Sequence, residues 1–222
     1  DGSLDAIFAQ NGNDLFSIYI GDGLGQFEAY DSVSINSPLS SQYDVGTNSL
    51  TSGDLNGDGL VDIVLGGEGF ENGSYLHWNK IISVDRIGKI QTLQTIPLNF
   101  RSSRVQVADI NHDGISDLIN SNSFGSVQAL FGQGTVATGQ NEILTYTDES
   151  LTRVLDFDFV DLIVDGQDQR GLLVNRDENY YTFYLYNSES NTFEEKQTFI
   201  HGGNNLHTDL VDWNGDGDLD IL

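Results

Sequence analysis

The sequence contains no cysteine, so neither a disulfide framework nor a thiolate metal site can be built from it. Basic residues are scarce: Lys and Arg number 9 against 34 Asp and Glu, a formal net charge of −25. A field of that sign repels phosphate backbones and anionic membrane surfaces, which argues against nucleic acid as a partner. No stretch approaches the roughly 20 apolar residues that a membrane helix needs, so no helical membrane insertion is expected. Asp1-Gly2-Ser3-Leu4-Asp5 has neither the basic start nor the apolar centre of a signal peptide. Convincing helical periodicity is also missing. What is present is 38% hydrophobic over 222 residues, enough for a packed core.

The apolar residues are organised by a repeat. Asp54-Leu55-Asn56-Gly57-Asp58-Gly59-Leu60-Val61-Asp62 recurs as Asp109 to Asp117 and as Asp212 to Asp220, with a degenerate copy at Asp161 to Gln169. Asp1 to Asp5 matches positions five to nine of the same motif. The aspartates at position five lie 57, 55, 52 and 51 residues apart. After each intact motif comes a short apolar run, as in Asp62-Ile63-Val64-Leu65 and Asp117-Leu118-Ile119. A second run follows (Phe16 to Ile20, Tyr75 to Trp78, Val127 to Phe131, Tyr181 to Tyr186), then a polar turn and a third run. A fourth, such as Val105 to Ala108, leads into the next motif. Runs rich in Val, Ile, Tyr and Phe and bounded by Gly, Asn, Asp or Ser read as strands and hairpins.

Units of four short antiparallel strands at a period near fifty predict an all-β chain, a β-propeller segment of about four blades over residues 1–222. A repeat solenoid of sheets is the alternative. The motif then forms the loop between the first and second strand of each blade. An acidic glycine loop, an apolar strand, a second strand and a Gly-rich turn ending in Phe together resemble the FG-GAP/VCBS repeat family, whose calcium-binding blades also occur in integrin α-chain heads. Because the sequence both starts and stops in a second strand, we expect a segment of a larger propeller, with preceding residues of the form Asp-x-Asn-x completing the partial loop at residues 1–5.

Three carboxylates within nine residues repel one another unless a cation joins them. Side chains at positions one, three and five of a tight loop converge, and glycine at six allows the bend that brings in the carbonyl at seven and the carboxylate at nine. Oxygen-only, charged ligands suit a hard cation with a flexible shell of about 6–8 oxygens, which is Ca2+; Mg2+ prefers a smaller, rigid octahedron. The expected ligands are Asp54, Asn56, Asp58, Leu60 (carbonyl) and Asp62; Asp109, Asn111, Asp113, Ile115 (carbonyl) and Asp117; and Asp212, Asn214, Asp216, Asp218 (carbonyl) and Asp220. An EF-hand is excluded because the twelfth positions are Leu65 and Asn120 rather than Glu. At 161–169, Ile163 offers no oxygen at position three and Gln169 replaces the last carboxylate, so that loop should be empty or weak.

Other noticeable residues have plainer readings. Trp213 stands at loop position two with Leu55, Ile110 and Leu162, which predicts packing under the loop. Trp78 aligns with Ile20, Phe131 and Tyr186 as inter-blade core. His112 reads as a surface histidine, since no metal-type partner is near it in sequence. Gly21-Asp22-Gly23-Leu24-Gly25 joins two strands and has no following helix or Lys, so it is not a phosphate loop. Tyr19, His77 and Tyr184 read as sheet-face residues rather than a sugar platform, and Asn72-Gly73-Ser74 fits a turn as well as a glycosylation sequon.

The resemblance implies a non-catalytic extracellular module, secreted or on the cell surface, that serves adhesion or binds a carbohydrate or protein ligand. It leaves the oligomeric state open and allows assembly into a larger array. Extracellular modules bind calcium near 10⁻⁴–10⁻³ M, which favours the same placement. The competing expectations are the propeller domain of a secreted polysaccharide-active enzyme and a structural repeat of an extracellular fibre or surface layer. Against an enzyme, the recurring aspartates are accounted for as ligands, and no Ser-His arrangement or separate carboxylate pair stands out.

Overall fold

A computed structural model describes residues 3–10, 15–34, 46–71, 73–84, 89–122, 127–132, 134, 154–164, 166–176, 180–190, 192–200, 210–216 and 220–221. The chain is all-β. β1 (Ala6–Gln10), β2 (Leu15–Gly21) and β3 (Phe27–Ser34) form one sheet in chain order. β4 (Gly46–Gly53), β5 (Asp62–Glu71), β6 (Ser74–Val84) and β7 (Ile90–Leu98) form a four-stranded sheet, again in chain order. β8 (Ser102–Ala108), β9 (Asp117–Asn122) and β10 (Val127–Leu130) make the third. A second four-stranded sheet comprises β11 (Val154–Val164), β12 (Gln167–Arg176), β13 (Tyr180–Asn187) and β14 (Thr192–Ile200). Finally β15 (Leu210–Val211) pairs with β16 (Asp220–Ile221). Each strand pairs with its sequence neighbour, as short connections require.

The chain divides into two compact units, Asp1–Ser52 with Asp62–Val105 and Gly53–Val61 with Gln106–Leu222. In the first, Phe16 and Ile18 of β2 pack with Ile63 and Leu65 of β5 and Trp78 and Ile82 of β6. In the second, Ile119, Ala129 and Phe131 meet Phe157, Leu172, Val174 and Tyr184. Each core therefore lies between two successive sheets. A buried side chain of this size contributes about 1.5–3 kcal/mol, so the sheets rest on these clusters rather than on the loops.

Strand β9 is buried along its whole length, and so is β12 from Gly171 onward. The apolar run continues there into buried polar residues, Asn120, Ser121 and Asn122 in β9 and Asn175 and Arg176 in β12. Such groups are retained where they are hydrogen-bonded; Arg176 donates to the Tyr184 hydroxyl. Tyr184 is thereby a core residue, in keeping with its sheet-face reading.

Register corrects one alignment. Ala6 faces Tyr19, Leu118 faces Leu130 and Ile63 faces Ile82, so the β6 residue equivalent to Ile20 and Phe131 is Ser83 rather than Trp78. The β5–β6 hairpin is longer than its counterparts and runs from Asp62↔Ser83 to Glu71↔Ser74. Trp78 is an added position opposite Gly67, yet it still fills the core between sheets, with 2% exposure.

Candidate functional site

Two intact loops join first to second strands within described residues, at Asp54 to Val61 between β4 and β5 and at Asp109 to Ser116 between β8 and β9. The loop from Asp212 between β15 and β16 is described through Asp216; Asp218 lies outside the described residues, as does Asp1 of the partial loop. In all three loops the position-one carboxylate accepts two loop amides, though not the same two. Asp54 accepts Gly57 N–H at 2.7 Å and Gly59 N–H at 2.9 Å; Asp109 accepts Asp113 N–H at 3.1 Å and Gly114 N–H at 2.9 Å; Asp212 accepts Gly215 N–H at 2.6 Å and Asp216 N–H at 3.1 Å. At position three, Asn56, Asn111 and Asn214 each accept the amide of position five, at 2.9, 3.1 and 2.8 Å. At position five, Asp58 and Asp113 each accept the amide of position seven, from Leu60 and Ile115, at 2.8 Å.

Positions three and five also meet directly, through Asn56 Nδ2 to Asp58 Oδ2 at 3.2 Å and Asn111 Nδ2 to Asp113 Oδ2 at 2.9 Å. Among the described residues no three carboxylates or imidazoles close on a metal-sized point. The donor set nonetheless fits a hard cation. It is oxygen-only, and an ionised carboxylate has about four lone-pair sites, of which the amides occupy one or two.

Two backbone features of these loops escaped the sequence reading. Position four is left-handed, with φ 75° at Gly57, 76° at Gly215 and 56° at His112, the only non-glycine residue with positive φ among those described. An L residue there costs roughly 1–2 kcal/mol. Glycine at position six also has positive φ, 78° at Gly59 and 84° at Gly114, as the bend requires.

The second feature concerns position nine. Asp117 is fully buried and accepts Ile110 N–H and Gly132 N–H, both at 2.8 Å. Asp5 accepts Gly21 N–H at 3.0 Å, and Asp220 accepts Trp213 N–H at 3.1 Å. Asp117 thus ties the start of its loop to the residue that closes the next strand, and Asp220 and Asp5 each make one of the two contacts. Burial pushes the Asp117 carboxyl up to about 6 against the pull of those two amides, and the charges of Asp113 and Asp109 add to the rise. Asp62 is equally buried. The signal was legible, since Gly21 and Gly132 both follow the second run by one residue.

Those glycines are obligatory for contact reasons. A Cβ at Gly21 would lie 2.0 Å from the Leu4 carbonyl oxygen, and one at Gly132 would lie 2.2 Å from that of Ser116; both partners occupy position eight. Gly132→Ala is expected to destabilise the chain by about 1–3 kcal/mol as backbone shifts to make room. Urea unfolding measures this, and a wild-type midpoint would refute the contact argument.

Among the described residues the degenerate copy forms a hairpin in place of the loop. β11 continues through Asp161, and β12 answers it residue for residue from Asp161↔Arg170 to Val164↔Gln167, with Gly166 at φ 76° in the tip; Asp165 lies outside the described residues. Asp161 pairs with Arg170 at 3.0 Å, and the same guanidinium donates to the Asp109 carbonyl at 2.6 Å. His112, exposed, has Nε2 3.9 Å from Asp161.

The recurring loop, strand and glycine arrangement is matched by the family model of the FG-GAP-like repeat, over residues 1–65 and 54–120. The chain belongs to the FG-GAP-like repeat family. The sheets described above are its β-propeller-type blades. The two matched FG-GAP windows overlap at the first intact loop and take in the second. No curated protein matches the chain.

Three remaining sequence readings can be placed on the FG-GAP blades. Trp213 is 74% exposed, unlike Leu55 and Ile110 at 0%, so the expectation that it packs beneath its loop is wrong; only the two-residue strands β15 and β16 are described beside it. Gly21 to Gly25 is a turn held by Asp22, which accepts the amides of Leu24 at 2.7 Å and Gln26 at 3.0 Å. The Gln26 and Leu24 amides lower the Asp22 carboxyl below its usual range. His77 sits 3.8 Å from Glu68 on the face of β6, and Asn72 lies outside the described residues.

Proposed function

We propose that the chain is a calcium-stabilised, non-catalytic propeller module that acts outside the cell in adhesion, binding a carbohydrate or an extracellular protein. The observation that carries this reading is the hydrogen bond from the position-five amide to the position-three asparagine, repeated in three loops set at one phase of the repeat, whose candidate ligand atoms are all oxygens. Asp54, Asn56 and Asp58, with the Leu60 carbonyl and Asp62, would hold one cation; Asp109, Asn111, Asp113, Ile115 and Asp117 a second; Asp212, Asn214, Asp216, Asp218 and Asp220 a third. Bound calcium would supply the charge that lets these carboxylates share a loop, and the amides that already orient them lower the ordering cost of binding. Asp117 would contribute through whatever lone pairs Ile110 and Gly132 leave.

An extracellular setting is supported by the affinity range of such modules, about 10⁻⁴–10⁻³ M, which extracellular calcium reaches and cytosolic calcium does not. The fold alone does not choose a ligand, because propellers host many functions. A glycan array and an extracellular-protein array probed with the chain, each with calcium and with chelator, test the binding role. Calcium-dependent retention of a saccharide or protein is expected. Retention of nothing on either array, with calcium bound, would overturn the adhesive reading and leave a structural module.

A further inference from the structure

Four Asn-Gly pairs occur in the sequence, at Asn11, Asn56, Asn72 and Asn214. Asn56 and Asn214 stand at position three of intact loops, immediately before the left-handed Gly57 and Gly215. In Asn-Gly the following amide nitrogen has no side chain beside it to shield it from the asparagine carboxamide. The loop at Asp109 has the same left-handed position four but carries His112 there, so Asn111 is followed by a shielded nitrogen.

We propose that Asn56 and Asn214 are sites of spontaneous deamidation, restrained in the closed loop by the hydrogen bond from the next amide to the position-one carboxylate, and that His112 spares Asn111. In the reaction the Gly57 nitrogen attacks Cγ of Asn56. The N–Cγ bond forms as Cγ–Nδ2 breaks, and the amide proton leaves with the side-chain nitrogen as ammonia. Solvent water then opens the succinimide on either side, giving aspartate or isoaspartate. No oxidant, reductant or further reagent is needed.

The closed loop opposes each part of this. Gly57 N–H donates to Asp54 at 2.7 Å and Gly215 N–H to Asp212 at 2.6 Å, and a carboxylate against an N–H disfavours the nitrogen anion that attacks. The carboxamide of Asn56 is itself held forward, its Oδ1 by Asp58 N–H at 2.9 Å and its Nδ2 on Asp58 Oδ2 at 3.2 Å. Asn214 Oδ1 is held likewise by Asp216 N–H at 2.8 Å. Opening the loop releases these restraints. Either product alters the site: aspartate adds a charge, and isoaspartate lengthens the backbone between positions three and four, spoiling the convergence of one, three and five. Two loops therefore carry an irreversible record of having been open.

Peptide mapping by mass spectrometry after timed incubation tests this on the full chain. Every arm contains chelator, so the outcome is independent of the calcium reading. In denaturant, Asn56 and Asn214 should convert at similar rates and Asn111 more slowly, while His112→Gly should bring Asn111 up to them. Under native conditions Asn56 and Asn214 should slow at least about tenfold, as expected for loss of one charge-assisted hydrogen bond on opening. Asp54→Ala should then release Asn56 alone, with Asn214 as reference within the same molecule, and Asp212→Ala should do the reverse. Equal conversion of Asn111 in denatured wild type, no native slowing, or Asp54→Ala and Asp212→Ala each leaving both rates unchanged or accelerating both sites together would overturn the proposal.

Discussion

Asp117→Ala is expected to destabilise the second unit by roughly 2–5 kcal/mol, with or without calcium. The substitution leaves Ile110 N–H and Gly132 N–H buried without an acceptor, at about 1–3 kcal/mol for each, and relief of the buried charge offsets part of that. Asp117→Asn should fall between, because its carboxamide can accept one amide but turns a donor toward the other. Asp113→Ala is the contrast. Its side chain is exposed and accepts a loop amide, so it should cost little in chelator and act only on the calcium-dependent part of stability. Urea titrations in chelator would separate the two. Equal losses for Asp113→Ala and Asp117→Ala would mean that position nine is not the tie described here.

Removing calcium is expected to lower the melting temperature markedly. A ligand that binds only the folded state contributes RT ln(1 + [L]/Kd), about 2.7 kcal/mol per site at a hundredfold excess over Kd. In the second unit that contribution competes with a core of Phe157, Leu172, Val174, Tyr184 and their neighbours. The chelated protein should therefore keep its β-sheet circular dichroism at room temperature and melt earlier, rather than unfold outright. Calorimetry in excess calcium and in excess chelator reads the shift. Identical curves, with metal loss verified, would remove calcium from the account.

Much of this was legible in the sequence, for reasons that are local. Strands such as Phe16 to Ile20 and Tyr181 to Tyr186 are short β-branched and aromatic runs between turn residues, and the recurring Asp and Gly fixed the phase of the loops. What was hidden depended on partners distant in sequence. Nothing in Asp117 alone tells whether its carboxylate faces a cation or the amides of Ile110 and Gly132. Trp78 was misaligned because the β5–β6 hairpin is longer than β1–β2, and sequence spacing cannot reveal which hairpin has grown. Trp213 shares a motif position with two buried residues, yet burial is decided by what lies over it. The hairpin at Asp161 was half legible: Ile163 and Gln169 announced the loss of ligands, whereas Arg170 joining Asp161 to the Asp109 carbonyl required the fold.

The calcium count per chain, read by native mass spectrometry or equilibrium titration, bears most directly on the loops. Three ions are expected, one for each intact motif at Asp54, Asp109 and Asp212. Asp58→Ala, Asp113→Ala and Asp216→Ala should each remove one ion, and Asp161→Ala none. A chain that binds no calcium, or one whose count falls with Asp161→Ala but not with Asp58→Ala or Asp113→Ala, would contradict the assignment of the loops as cation sites.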